Sequence, residues 1–454
     1  MSAAAIALNR FGLGAKPDEP VPSNPKRWLL SQLDAYDPLP APWKMQPRTT
    51  ALLDTWLTQQ RAARQAPEGE RSGVREAYLR QGREAYVAAV GARTHSALQS
   101  DTPFVERLVH FWSNHFAVST DKLLVVGLAG GFEADAIRPN VLGRFEDLLL
   151  AAVRHPTMLL YLDQAQSIGP RSLAGSRAGG GGQQRPRGLN ENLARETLEL
   201  HTLGVRSGYT QDDVTEFARA LTGWTLPGDE IAAGSATFRF VAARHEPGDR
   251  VVLGRSYASG GEQQARSILH DLVTSPATAL HIARKLARHF VADEPPAALV
   301  QRLADTFSRT DGDLPSLYGE LVAAPEAWLP ASAKFKSPWD WAISSQRALG
   351  RQELAPGQAI NLMNQLGQPV WRPGSPAGYD DTAATWAAPD ALLRRVEMAQ
   401  RMATQAGNAV DARTLAPRVL PGAVSEATTG AIARAESGTT ALALLLVSPE
   451  FLRR

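Results

Sequence analysis

The stretch PNVLGRFEDLLLAAVR, Pro139 to Arg154, sets the reading of the chain. Val141, Leu142, Phe145, Leu148, Leu149 and Val153 recur at i, i+3, i+4 spacing, the mark of a helix that buries one stripe. Pro139 stands where a first-turn proline belongs. The same period runs outward in both directions: a helix is predicted over 102–119, and others near 47–65, 72–98, 263–292, 333–350, 390–406 and 438–453. A first helix is capped by Ser2 and stopped around Gly12. Thr210 and Asp213 form a capping-box pair that opens a helix running to Ala220. Pro156, Pro276, Pro325 and Pro449 each follow one helical run and introduce another, because proline cannot continue the incoming helix but suits the first turn of the next. Alternation of strand type is confined to ATFRFV (236–241) and VVL (251–253), which predicts one small hairpin.

The fold class that follows is mainly α: a large single helical domain, 1–454, with a small inserted β-hairpin and a Gly/Arg-rich loop. Its parts are an N-terminal helical stretch (1–163), the loop (164–189), the acidic-motif helices (190–226), the hairpin insertion (227–262) and a C-terminal helical stretch (263–454). The loop carries Pro170, Gly179 to Gly182 and Pro186, and four arginines, Arg171, Arg177, Arg185 and Arg187, with no acid to pair them.

With 454 residues, 44% of them hydrophobic, a chain of this size buries about three quarters of its surface and needs no staple. It has no cysteine, which excludes disulfides, thiolate zinc sites and a cysteine nucleophile. Forty-eight Lys and Arg against 46 Asp and Glu leave a net charge of +2, too small for a nucleic-acid footprint. No apolar run approaches the ~20 residues of a membrane span, and MSAAAIALNRFGLG at the start lacks the basic region of a signal peptide. The expectation is a cytoplasmic protein, with the periplasm as the alternative. HExxH, GxSxG, a Walker A loop and a Rossmann glycine fingerprint are all absent.

Two helices carry candidate chemistry. At 100° per residue, Glu191, Asn192, Arg195, Glu196 and Glu199 share one side of the 190–204 segment, Asn190 precedes them as a natural N-cap, and Leu193, Ala194, Thr197, Leu198 and Leu200 take the other. Such a stripe can ligate a hard cation or supply acid and base. Equally, Glu191–Arg195 and Arg195–Glu199 are i, i+4 pairs, the ladder of a solvated face. In the 104–116 helix, His115 falls inside the apolar face made by Phe104, Leu108, Phe111, Trp112 and Phe116, while Glu106, His110 and Asn114 fall on the polar face. A buried imidazole must find a partner or give up its proton, so His115 is either a satisfied core side chain or a ligand or base. His201 reads as a core residue, and His155, His281 and His289 as structural or surface. His245-Glu246 opens a charged loop between the candidate strands. Trp371-Arg372 and Trp386 either line a groove or anchor an irregular segment.

Several ordered motifs together resemble a bacterial family known as domain of unknown function 1800. They are FWSNHF (Phe111 to Phe116), NENLARETLELHTLG (Asn190 to Gly204), GYTQDD (Gly208 to Asp213) running to LTGW (Leu221 to Trp224), HEPG (His245 to Gly248) running to Leu253-Gly254, RKL (Arg284 to Leu286), RHF (Arg288 to Phe290), KSPW (Lys336 to Trp339), LGQP (Leu366 to Pro369) with WRP (Trp371 to Pro373), and LVSPEF (Leu446 to Phe451). The resemblance spans nearly the whole chain and implies a large helical fold and a secreted hydrolase-like partner encoded nearby. It supplies no activity. The chain departs from the family pattern at Ser113, Leu193 and Tyr379-Asp380, where histidine, tyrosine and Trp-Pro are expected.

Together these readings predict a hydrolase whose His/carboxylate site gathers His115, Asn190, Glu191, Asn192, Arg195, Glu196 and Glu199, closed by His245. A divalent metal, if used, would be held by His115, Glu196 and Glu199. The alternative is a non-catalytic binding or assembly module acting with the hydrolase-like partner, in which the same stripe is a structural clasp.

Overall fold

Proline and small polar caps cut the chain into helices much where the sequence places them. The computed structural model describes residues 1–178, 188–227, 237–331 and 334–454. Ser2 caps the first turn, its Oγ accepting from the amide of Ala5 at 3.1 Å. The helix Ala3–Ile6 passes into a π-turn, Ala7–Phe11, that ends at Gly12. Residues 5–15 are buried, so this segment belongs to the core. Thr210 and Asp213 make both halves of a capping box ahead of the helix Gln211–Leu221. Proline breaks divide Phe145–Arg154 from Pro156–Tyr161, Glu262–Val273 from Pro276–Phe290, and Leu314–Ala323 from the 3-10 turn Pro325–Trp328. The fourth corner differs: after Gly438–Leu446, Pro449 leads into turns, and Arg453 closes an isolated bridge with Phe335.

The decisive stretch itself is shorter than its period suggests. Pro139 lies in a 3-10 turn, Arg138–Asn140, and the α-helix opens only at Phe145. Gly143 intervenes, and the Phe145 amide is taken by the Gly312 carbonyl at 2.8 Å. A tertiary hydrogen bond has replaced the first helical turn.

Sheet among the described residues amounts to two antiparallel pairs: β1 (Trp224–Thr225) with β2 (Arg239–Phe240), and β3 (Arg250–Val252) with β4 (Arg255–Tyr257). The sequence paired the second and third of these with each other. Instead, β2 finds the Trp224 strand, and β3 turns back through Leu253 and Gly254, both at positive φ, onto β4. Two residues in left-handed geometry give the tight turn a two-residue hairpin needs. Part of the Gly/Arg-rich loop, residues 179–187 with Arg185 and Arg187, lies outside the described residues, as does Ala236. Within the described part of the loop, Leu173–Ala178 is helical.

One continuous hydrophobic core draws residues from Ile6 to Leu452. The long helix Arg71–Gln99 joins the core through its second half, from Ala89 to Leu98, and packs on Thr49–Gln65, Pro338–Ala348 and Pro356–Gln365. No helix among the described residues is long and apolar enough to cross a membrane. The protein is thus mainly α with small β-hairpin pieces.

Candidate functional site

The helix Pro103–His115 has two buried faces, not one. The apolar side packs as its spacing predicts. The polar side is also inside: Glu106 is 2% and His110 8% exposed. Charges at that depth survive only when paired, and here they form a chain. Arg138 reaches Glu106 at 3.1 Å and Glu133 at 3.2 Å. Arg93 pairs with the other oxygen of Glu133, and its guanidinium lies over the rings of Trp339 and Trp371 at 4.9 and 5.4 Å. Burial alone would raise the Glu106 carboxyl, but the Arg138 guanidinium brings it down to about 2. Burial and the neighbouring Arg93 lower His110 to about 4, so the ring is neutral and its Nδ1 accepts from Trp339 Nε1 at 3.1 Å.

Arg93 and His110 of this network line a cavity of about 360 Å³, within the range of small-molecule sites. Aromatic residues Phe111, Trp339, Trp371 and Tyr379 line it. Trp371 holds a left-handed φ of 48°, a conformation a bulky residue keeps only when its surroundings impose it. Its Nε1 donates to Glu133 at 3.3 Å and its carbonyl accepts from the Thr120 amide at 2.9 Å.

The opposite wall comes from two segments. The helix Pro276–Phe290 supplies Lys285, Arg288 and His289, and the turn after Gly378 supplies Asp380 and Asp381. Gly378 fixes where that turn lies. It holds a φ of 82°, and a Cβ there would stand 2.3 Å from the Asn114 carbonyl oxygen. The approach lets the Asn114 side chain clasp Tyr379 at both ends, donating to its carbonyl at 2.8 Å and accepting from its amide at 2.7 Å. Two residues on, Asp381 Oδ2 accepts from His289 Nδ1 at 2.6 Å. The Nε2 of His289 is buried with no hydrogen-bond partner among the described residues. Burial lowers the His289 pKa, Asp381 works against that, and Arg454 adds to it. Burial would raise Asp381, but His289, Lys334 and Arg454 hold it below the usual carboxylate range. The result is an ionised acid orienting a neutral imidazole.

The residues singled out by sequence lie elsewhere or do other work. His115 also lines the cavity, with Nδ1 unpartnered. Its Nε2 reaches the motif helix at the backbone carbonyl of His201, 3.2 Å away. Burial, then Lys285, drives its pKa well down. No hydrogen bond or ion pair among the described residues joins it to Glu196 or Glu199, and neither glutamate lines the cavity. Nor is any group of three or more His, Asp or Glu side chains among the described residues arranged to hold a metal ion. The ligand set His115, Glu196 and Glu199 is therefore not assembled.

The acidic stripe is a half-exposed clasp between two helices. Its helix begins one residue later than an Asn190 N-cap predicts, Asn192–Glu196, then widens into a π-turn, Thr197–His201. Asn190 caps it from outside, Oδ1 accepting from the Asn192 amide at 2.8 Å. Glu191 takes Arg195 at 3.2 Å, Gln211 at 2.8 Å and Thr215 at 2.8 Å, tying the segment to Gln211–Leu221. Arg195 approaches Glu199 at 3.8 Å. Burial and Glu199 raise the Glu196 carboxyl. His245 binds the Thr222 carbonyl through Nδ1 at 3.0 Å, and its neighbour Glu246 is buried, gripping Arg171 at 2.7 Å. Both pin the insertion to the body. Trp386 is an anchor, its Nε1 donating to the Asp380 carbonyl at 2.7 Å.

Lys285 and His289 stand in motifs of the resemblance, but neither of them, nor Asp381, has a place in the site read from the sequence. A signal was present: Lys285, Arg288 and His289 stand at i, i+3, i+4, three basic side chains on one helical face whose other positions, Ile282, Leu286 and Phe290, are buried.

No curated protein and no solved structure matches this chain. Residues 6–453 match the family described as proteins of unknown function, DUF1800. With all but a few terminal residues covered, the chain belongs to the DUF1800 family.

Proposed function

We propose that this protein is a hydrolase whose reaction takes place in the 360 Å³ cavity, with His289 as general base and Asp381 as its positioning partner. The observation that carries the reading is the 2.6 Å bond between Nδ1 and Asp381, which fixes the tautomer and leaves a lone pair on a buried, unpartnered Nε2. A neutral imidazole with an orienting carboxylate is the recurring device for drawing a proton from a nucleophile. Ser113 and Ser337 share the cavity. The Ser113 hydroxyl proton is committed to Glu133 and the Ser337 oxygen caps the Asp340 amide. Water is therefore the nucleophile: its proton goes to Nε2, its oxygen bonds the electrophilic carbon or phosphorus, and the leaving group departs with the proton returned by His289.

A panel of nitrophenyl esters, phosphoesters and anilides, assayed with the purified chain, tests this. Replacing His289 by Gln is expected to cut turnover by roughly 10²- to 10⁴-fold, and Asp381→Asn by a smaller factor. Activity should fall off on the acid side, below the ordinary histidine range, because the His289 pKa is lowered. Turnover by His289→Gln at the parental rate sinks the assignment. The second reading, an assembly module working beside a separately encoded hydrolase-like protein, draws support from the Glu191 clasp, where motif residues serve structure. It expects no turnover of any panel member.

A further inference from the structure

We infer that the cavity is built for a substrate bearing a small anionic group, a carboxylate, phosphate or sulfate, which the Lys285 ammonium and the Arg288 guanidinium hold. The inference rests on the hydrolase reading only for where the reacting bond lies; the anion site stands on its own observations. The carboxylates of the cavity wall are already engaged. Asp340 takes Arg107 at 2.9 Å and Arg454 at 3.2 Å. Asp381 takes His289 at 2.6 Å and Lys334 at 3.3 Å. Asp380 is turned onto Thr382 and Thr385. Across the cavity, Arg93 is neutralised by Glu133.

Lys285 differs from all of these. Among the described residues its amine has no hydrogen bond and no ion pair; the carboxylate it senses is Asp381, shared with His289, Lys334 and Arg454. Arg288 spends only its Nε, on the Asp293 carbonyl at 2.9 Å. Two cationic heads one helical turn apart therefore line the cavity with no carboxylate paired to either of them among the described residues. A half-buried ammonium without a partner is costly to keep, and burial with Arg288 beside it lowers the Lys285 pKa to about 8. An anion in the cavity would relieve that cost. It would also set the remainder of the substrate between Trp339 and Tyr379, alongside His289, one helical turn from Lys285.

Isothermal titration of the full chain with sodium sulfate, inorganic phosphate and acetate is the direct test, with glycerol as the neutral control. At least one anion is expected to bind and glycerol is not; which of the three binds tightest tells a carboxylate substrate from a phosphate or sulfate one. Lys285→Met should weaken that anion by roughly 10- to 100-fold, the worth of a hydrogen bond to a charged group, while Lys285→Arg keeps most of it. Sulfate binding should also weaken as pH rises through about 8, where the Lys285 amine loses its proton. Of the groups facing it besides Arg288 and Arg93, Asp381 stays ionised, and His115, His201 and His281 are already neutral. No anion bound, or Lys285→Met binding as the parent does, overturns the inference. His289→Gln separates the two proposals: it should bind sulfate nearly as the parent while losing hydrolysis. Hydrolysis that survives in it removes the base and leaves the anion site in place.

Discussion

The helix Pro103–His115 and the segment from Glu191 to Glu199 each set a carboxylate four residues from a nitrogen-bearing side chain, Glu106 with His110 and Glu191 with Arg195, and the fold treats them in opposite ways. In the first, Glu106, His110, Arg138, Glu133 and Arg93 are sealed into one chain behind a cavity. In the second, Glu191, Arg195 and Glu199 remain about one third exposed and join two surface helices. Similar pairs at i, i+4 thus become part of a buried ion network or of a solvated ladder. What decides is whether other segments close over them. The difference is one of dielectric: screened charges are worth little, and sealed ones are expensive both to hold and to lose.

The comparison can be broken most forcefully at Arg138. Replacing it by Met leaves buried Glu106 without a cation and Glu133 with Arg93 alone, and urea unfolding should show a loss of about 3–5 kcal/mol. A loss below about 1 kcal/mol would mean the network is wetter than its burial indicates. Acid should then separate the regions. His110 and His281 are lowered to about 4 and His201 to about 3, in each case by burial first. Native rings resist protons that the unfolded chain accepts, so stability is full above about 6.5 and declines as pH falls toward 4. Glu106 extends the decline toward about 2, since its charged form is favoured in the native state. Glu196, whose pKa is raised, acts with the opposite sign and destabilises less as it protonates. Melting temperatures taken from pH 7 downward check the direction.

The clasp is the quieter half. A double-mutant cycle between Glu191→Gln and Arg195→Met should return a coupling of about 0.2–1 kcal/mol, and one above ~2 would remove the contrast. Smallest of all is Glu196→Gln, which should leave turnover within a few-fold of the parent and stability level or slightly raised. A hundred-fold loss of activity there would return the chemistry to the acidic stripe.

Local grammar made the fold legible. Ser2, Thr210 with Asp213, and the prolines at 156, 276 and 325 act within a turn of themselves, and periodicity marks each buried stripe. Where the sequence misled, a distant partner had intervened: Gly312 took the amide of Phe145, and Trp224 drew Arg239-Phe240 away from the 250–252 strand. The site was less legible for the same reason. His289 and Asp381 are 92 residues apart, and nothing local tells a basic helix face that a turn held by Asn114 will supply its acid. Spacing marks Glu106, His110 and Asn114 as the polar side of the Pro103–His115 helix, but it shows which residues share a face, not what covers it.

Gly378 ties these threads together. Because its missing side chain lets the turn rest directly on the Asn114 carbonyl, the seating of an acid on the far wall is dictated by empty space on the near one. One added methyl at that position would lift the following residues as a unit and carry Asp381 away from the ring it steadies, without touching either partner. The geometry of the pair is thus set from the side, by a residue with no chemistry of its own.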